Sequence, residues 1–334
     1  MTTPDPIDHF ADWLSHRSQA DRDPLSHAAA KPYRYIWASW CRWLLTPTPS
    51  RARPPASWLE ATPRDVALFL DHGVQVAAHA RKGKTAPISD ITRRRYWRVL
   101  DAIYQHAMNK GLIERNPSEF DVGERPPPEN SVGQVFHRHH WDAIKASFPR
   151  GESRWDVRDR AILALLMDTA ITTGEICKLQ RHQVGDHMAR VTLRMNGKRA
   201  SQKRDLQLGT AAGVEMRRWL ELRRGMSSPA GSEDALFVTQ AGSALSPRAV
   251  LRLVSTTVRR AFADHSLALP DHIGAQVLRN TRIVLWLHEG VEMDEVVHRA
   301  GFKDLKSFRG LRAHIDPSIL PAVIPRSSAH LSIG

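Results

Sequence analysis

The sequence predicts a mainly α-helical protein of two domains, the second with a small β-hairpin or sheet. Apolar residues recur at helical spacing in most segments, whereas strict alternation is confined to the stretch that begins Val191, Leu193 and Met195. Arg125 to Gly133, with three prolines, interrupts the helical pattern and is expected to be a linker. A chain of 334 residues is long enough to bury two cores.

The first domain is predicted to contain about four helices. Residues 5–45 indicate one helix, a polar break and a second helix, followed by a loop rich in Pro and Ser at 46–56. Thr62 and Ser89 are good N-caps for the next two helices. The second helix has its apolar residues on one face: Tyr33, Ile36, Trp37, Trp40, Cys41 and Leu44.

Four arginines lie in the first turns of the helix that Ser89 caps: Arg93, Arg94, Arg95 and Arg98. Positive charge near a helix N-terminus opposes the macrodipole, so local stability does not explain them. They are interpreted either as a solvated face or as contacts to DNA phosphates, and the second interpretation is favoured.

In the second domain, the nearly all-apolar helix Ala161 to Met167 is expected to be central. Thr172 and Glu175 then form a Thr-x-x-Glu capping box at the start of the next helix. The alternating residues from Val191 to Leu208 predict strands joined through a basic loop, and Leu236 to Val238 is a predicted short strand.

Ser246 and Pro247 open a helix whose outer face carries Arg248 and Arg252, with Arg259 and Arg260 further along. The stretch from Gln276 to Leu311 predicts two amphipathic helices closed by Gly290 and Gly301, then a short third helix. A tail that alternates proline with aliphatic residues follows, among them Ile319, Leu320, Val323 and Ile324.

The net charge is +13, which points to a polyanionic partner. Residues 1–130 hold 18 Lys and Arg against 15 Asp and Glu, and residues 131–334 hold 30 against 20, so the larger part carries +10. Two cysteines exclude a disulfide framework, no His or Cys spacing predicts a metal site, and no cofactor is expected. Without a membrane-length apolar run or a signal peptide, we expect a soluble cytoplasmic protein with no membrane partner.

The order of these signals resembles the tyrosine recombinases, the phage integrase family. The positions that carry the resemblance in the C-terminal signature are Leu278, Arg279, Thr281, Gly290, Val296 and Gly301. The first part resembles the family's core-binding domain. The resemblance implies a helical DNA-binding domain at 1–122, a linker at 123–135, a catalytic-type domain at 136–315 and a tail at 316–334, the two domains closing round DNA as a clamp.

The resemblance also implies six catalytic positions, of which this sequence keeps two, Lys198 and Arg279. The other four hold residues that differ from the family's: Thr172, Gln276, Phe302 and Leu311. The four tyrosines all lie at or before Tyr104, so no shift of register supplies the family's nucleophile. We therefore expect a protein that is not an enzyme, a DNA-binding accessory or architectural factor in site-specific recombination of a mobile element.

Two alternatives stay open. One is an active recombinase or integrase with a non-standard site, in which Ser307, His272 or His314 lies near the lost groups. The other is a regulator of transcription or replication that uses the same DNA-binding fold.

The expected partners are double-stranded DNA, an active tyrosine recombinase or other subunits of a recombination complex, and further copies of the chain on DNA. The residues expected to contact DNA are basic and come from both domains: Arg93, Arg94, Arg95, Arg98, Lys198, Lys203, Arg204, Arg248, Arg252 and Arg279.

Overall fold

The computed structural model divides the chain into two compact units, Met1–Asn130 and Ser131–Gly334. The boundary falls inside the segment predicted to be a linker. The residues described are 4–20, 27–47, 54–74, 88–120, 125–126, 132–188, 190–197 and 200–320.

The described part of the first unit contains four α-helices. The sequence sets their ends, because Thr62 and Asp65 form a capping box at the start of α3 and the Ser89 hydroxyl accepts from the Thr92 amide at the start of α4. Both predicted caps are confirmed. The helices are α1 (Pro6–Ala20), α2 (His27–Leu44), α3 (Pro63–Leu68) and α4 (Asp90–Asn109).

The core of the first unit is built from aromatic rings whose polar atoms are paired. Trp40 donates its indole N–H to the Tyr104 hydroxyl at 2.8 Å, and that hydroxyl donates to the Trp58 carbonyl at 2.9 Å. All three side chains are buried. The hydrogen bonds satisfy the polar groups that burial removes from water, so the rings hold α2 against α4.

The second unit is organised around α6, whose residues are buried over most of its surface, as its apolar composition predicts. Helices α8 and α10 pack directly against it. The helices of this unit are α5 (Arg138–Ala146), α6 (Arg154–Thr169), α7 (Thr173–Ile176), α8 (Thr210–Arg224), α9 (Pro247–Asp264), α10 (Ala275–His288) and α11 (Met293–Ala300).

The described strands form one antiparallel sheet in the order β1-β2-β3, with strands β1 (Val184–His187), β2 (Arg190–Met195) and β3 (Arg204–Gln207). The predicted hairpin is confirmed, since Leu193 pairs with Leu206 and Met195 with Arg204. The main class, mostly helical with a small sheet, is therefore as the sequence predicts.

The predicted strand from Leu236 to Val238 is wrong. Val238 makes only an isolated bridge to Ala244, while the Leu236 amide donates to the Leu179 carbonyl at 2.9 Å. All three residues are buried. A short apolar run is compatible with any buried segment, and here the core holds it without a strand ladder.

The C-terminal end of the unit follows the predicted helix stops. Gly290 and Gly301 have φ values of +81° and +67°, a conformation that favours glycine after a helix. A 3₁₀ helix, Leu305–His314, comes next. Beyond it, Ile319 and Leu320 pack against the apolar cluster of their own unit, so the predicted tail is attached at its start. Val323 and Ile324 lie outside the described residues.

Over the ranges described above, no helix combines the length and the apolar character needed to cross a membrane.

Candidate functional site

The turn between α6 and α7 carries Thr172, the position where the resemblance expects an arginine. The Thr172 amide and hydroxyl donate to Glu175 Oε2 at 2.8 and 2.9 Å, and the Glu175 amide donates back to the Thr172 hydroxyl at 3.1 Å. This is the predicted capping box, which satisfies otherwise unpaired N–H groups at the start of α7. Thr172 is therefore engaged with its own helix.

Arg279 on α10 lies inside the protein, with 6% of its surface exposed. Its guanidinium donates to the Ala170 carbonyl and, at 2.7 Å, to the Ala300 carbonyl. Phe302 lies beside it, with its ring centroid 5.3 Å from Cζ. Burial lowers the pKa of Arg279 to about 10, although the nearby Glu175 carboxylate favours the charged form. Both hydrogen bonds tie the side chain to parts of its own unit.

Arg204, expected at the DNA surface, is buried, which corrects that expectation. Its side chain has no exposed surface, and it donates to Glu175 Oε1 at 2.8 Å and to the Arg299 carbonyl at 2.9 Å. The reason is the alternation of β3, in which Arg204 and Leu206 face the interior while Asp205 and Gln207 face solvent. The same alternation was visible in the sequence and is the signal that could have found this.

The remaining three positions that differ from the family pattern also have local partners. Gln276 donates to Asn280 Oδ1 at 2.8 Å, and the Phe302 ring meets Phe308 edge-on at 5.3 Å between centroids. Leu311 is buried in the C-terminal apolar cluster. Lys198 lies outside the described residues. Arg204, Arg279 and Phe302 thus meet around the end of α11, and Thr172 is linked to Arg204 through Glu175. Gln276 is held by a neighbour on its own helix.

The four arginines of α4 divide into two pairs. Arg93 forms an ion pair with Asp71, and Arg94 donates to the Pro126 carbonyl and lies 5.2 Å from the Trp97 ring centroid. Arg93 and Arg94 thus contact other parts of their own unit. Arg95 and Arg98 are exposed, as a contact to DNA phosphates requires.

Three of the predicted DNA contacts in the second unit are exposed: Lys203 on the hairpin, and Arg248 and Arg252 on α9. No acidic side chain in the described part of the chain forms an ion pair with them. Arg248 and Arg252 are one helical turn apart, where like charges weaken a helix slightly. Their charge is available to an external anion. Within the same described part, no group of three His, Cys, Asp or Glu side chains is placed to hold a metal ion.

Comparison with known proteins identifies the family. The sequence profile of the phage integrase family matches residues 143–313, just over half of the chain. The chain therefore belongs to the phage integrase family, the tyrosine recombinases, as its motifs predict.

The chain is similar to tyrosine recombinase XerC of Corynebacterium efficiens, 33% identical over 150 residues, which cover 45% of this chain and 44% of that protein. It thus spans less than half the length of that relative. It is 30% identical over 229 residues to XerC of Azotobacter vinelandii, covering 67% of this chain and 70% of the relative.

The fold is similar to that of the Tn1549 transposon integrase in complex with a circular intermediate DNA. The TM-score is 0.69, the identity 14%, and the coverage 93% of this chain and 94% of that one. At this identity the likeness shows the fold alone, and it agrees with the predicted mainly helical recombinase fold.

The expectation that this chain is not an enzyme is contradicted. Its relatives are named tyrosine recombinases, which are enzymes, and the family profile covers the part of the chain where the four altered positions lie. The sequence does differ from the family pattern at these four positions, but the chain nevertheless belongs to a family of recombinases.

Proposed function

We propose that this chain binds double-stranded DNA and takes part in site-specific recombination of a mobile element. The observation that carries the proposal is that Lys203, Arg248 and Arg252 are exposed and have no acidic partner among the described residues, in a protein of the phage integrase family. Each such cation can neutralise one phosphate and release its counterions. The similar transposon integrase forms a complex with a circular intermediate DNA, which agrees with this proposal.

The charge on α9 is the best place to test binding. Arg248→Gln and Arg252→Gln should each weaken binding to duplex DNA and lower the slope of log affinity against log salt by about 1. The matched control is Arg217→Gln, which removes the same charge from a half-buried arginine that is already paired with Asp186 at 3.0 Å. Equal effects of all three substitutions would mean that only net charge matters and would remove α9 from the interface.

We further propose that the chain acts as an accessory or architectural subunit of a recombination complex on DNA, together with an active tyrosine recombinase. This is supported by the absence of tyrosine after Tyr104 and by Leu311 at the position of the family's nucleophile. Further copies of the chain can belong to the same assembly. The cytoplasm is the compartment proposed for this reaction.

A nicked suicide substrate separates the possible sources of the nucleophile. The chain and an active recombinase are incubated with it separately and together, and adducts that resist denaturation are mapped by mass spectrometry. The accessory role predicts an adduct on the partner's tyrosine that increases when this chain is added. An adduct on this chain that Ser307→Ala abolishes would instead identify a serine nucleophile and overturn the accessory assignment.

A further inference from the structure

The buried arginines Arg204 and Arg279 join the same two parts of the second unit. Arg204 donates to Glu175 after α6 and to the Arg299 carbonyl at the end of α11. Arg279 donates to the Ala170 carbonyl after α6 and to the Ala300 carbonyl at the end of α11. The two guanidinium groups therefore tie helix α7 and the turn before it to the C-terminal end of α11, where the helix dipole favours cations.

Stability alone does not explain the place of Arg204. The two guanidinium groups repel one another, and Glu175 is the one carboxylate among the described residues that is hydrogen-bonded to either of them. Arg204 Nη2 is buried without a hydrogen-bond partner among the described residues. Burying an unpaired N–H of a charged group costs free energy, so the arrangement indicates a further use for this residue.

The position of Arg204 in the chain suggests that use. It is the first residue of β3, and the exposed Lys203 directly precedes it at the end of the basic loop between β2 and β3. Its contacts therefore fix the backbone from which Lys203 projects. The Lys203 amide also donates to the Ala200 carbonyl at 3.0 Å, a backbone turn that directly precedes Arg204.

Gly301 provides the space that this anchor needs. A Cβ atom at position 301 would lie 2.6 Å from Arg204 Nη1 and 2.8 Å from its Cζ. These distances are far below van der Waals contact, so any larger residue would displace the guanidinium. The end of α11 is thus shaped around Arg204.

We propose that Arg204 is a positioning residue which, through Glu175 and the end of α11, holds the end of the β2–β3 loop, residues 200–203, so that Lys203 contacts a DNA phosphate. This inference rests on the proposed DNA-binding function and names a residue that acts on the interface from inside the protein. Arg204 itself does not touch DNA, because its side chain is fully buried.

A double-mutant cycle tests the coupling. Arg204→Lys keeps the charge, but a lysine ammonium lacks the planar fork of donors that reaches Glu175 and the Arg299 carbonyl together. Lys203→Gln and Arg204→Lys should each weaken duplex binding roughly tenfold, about 1.4 kcal/mol, and each should lower the salt slope by about 1. The double variant should bind no more weakly than either single one, because both lose the same contact.

A second pair of variants perturbs the anchor without altering charge. Gly301→Ala should reproduce the loss of affinity and of salt slope seen for Arg204→Lys. Gly290→Ala is the matched control, since Gly290 has a similar φ of +81° but no atom within 4 Å of its added Cβ. It should bind DNA as the wild type does, with thermal unfolding recorded for every variant to confirm that the binding assays use folded protein.

The positioning role would be overturned if folded Arg204→Lys had the wild-type slope of log affinity against log salt. It would also be overturned if the losses of affinity from the two single substitutions added up in the double variant. Equal losses in Gly301→Ala and Gly290→Ala would do the same, because backbone strain alone would then account for them. Failure of the wild-type chain to bind duplex DNA is a different result, which would refute the proposed function itself.

Discussion

Burial decides what each arginine of this chain can do. A guanidinium stays charged and offers five N–H donors, so its role depends on which acceptors surround it. Arg248 and Arg252 are exposed and can meet an external anion, whereas Arg204 and Arg279 direct their donors to carbonyls and one carboxylate inside the second unit. The same residue type thus serves the surface and the interior.

Replacement of Arg279 tests its interior role. Arg279→Met should lower the free energy of unfolding, because the Ala170 and Ala300 carbonyls lose their donor, at about 1–3 kcal/mol for each group left unpaired. Urea denaturation measures the change, with the exposed Arg248→Met as control. Unchanged stability together with weaker DNA binding would instead support the phosphate contact that the sequence motif suggests.

Glu175 should make stability depend on acid. Burial alone would raise its pKa, but the hydrogen bond and charge of Arg204, together with the hydrogen bonds from Thr172, outweigh burial and hold the pKa below the ordinary value of 4.5. A carboxylate with a lowered folded pKa contributes stability that is present above about 4.5 and is lost as the pH falls through the folded value.

Glu175→Gln should therefore be less stable than the wild type at pH 7 and lose less stability on acidification below pH 4.5. Urea titrations at a series of pH values measure both effects, and the exposed Glu221→Gln provides the control. If the free energy of unfolding fell equally with pH in the wild type and in Glu175→Gln, the ion pair of Glu175 with Arg204 would contribute nothing to folding.

At the scale of elements, helix ends are fixed by local chemistry while the C-terminal segment depends on packing. The caps at Thr62, Ser89 and Thr172 each satisfy amides of the first turn that follows. By contrast, Ile319 and Leu320 are held by apolar contact with the cluster of their own unit. The start of the predicted tail, up to Leu320, is therefore attached to its own unit, and residues 321–334 are the part that a truncation can test separately.

Two truncations separate these parts. A chain that ends at Ile315 should unfold at lower urea concentration than one that ends at Leu320, because burial of two aliphatic side chains is worth about 1.5–3 kcal/mol each at most. The chain that ends at Leu320 tests residues 321–334 separately, because loss of assembly on DNA at unchanged stability would identify them as a contact to a neighbouring copy. Analytical ultracentrifugation with and without DNA measures assembly, and full assembly by this chain would exclude the tail as an intersubunit contact.

At the scale of the whole molecule, positive charge faces solvent on both units. Arg95 and Arg98 are exposed on α4 of the first unit, and Arg248 and Arg252 on α9 of the second. The excess of +10 lies in the second part of the chain, so it should supply most of the counterion release.

Paired substitutions test whether both units contact DNA. Arg95→Gln with Arg98→Gln, and Arg248→Gln with Arg252→Gln, should each lower the salt slope by about 2, and the combination of all four by about 4. Fluorescence anisotropy across a salt series gives the slopes. No change from the α4 pair would restrict the interface to the second unit.

The sequence by itself determined the features that depend on neighbours within a turn or two. Helical spacing, the caps at Thr62, Ser89 and Thr172, and the glycines at 290 and 301 are local signals, and the structure has each of them where it was predicted. The order of the family's motifs was readable for the same reason.

Only the tertiary structure decided which cations face solvent. Arg204 meets Glu175, 29 residues away, and the Arg299 carbonyl, 95 residues away, while Arg279 reaches Ala170 across 109 residues. Such contacts arise when separate elements pack, and the local pattern around a basic residue does not encode the acceptors that packing brings to it. A basic residue that the sequence predicts to contact DNA can therefore instead join two elements inside the protein. Its charge follows from its residue type, whereas its burial depends on the whole fold.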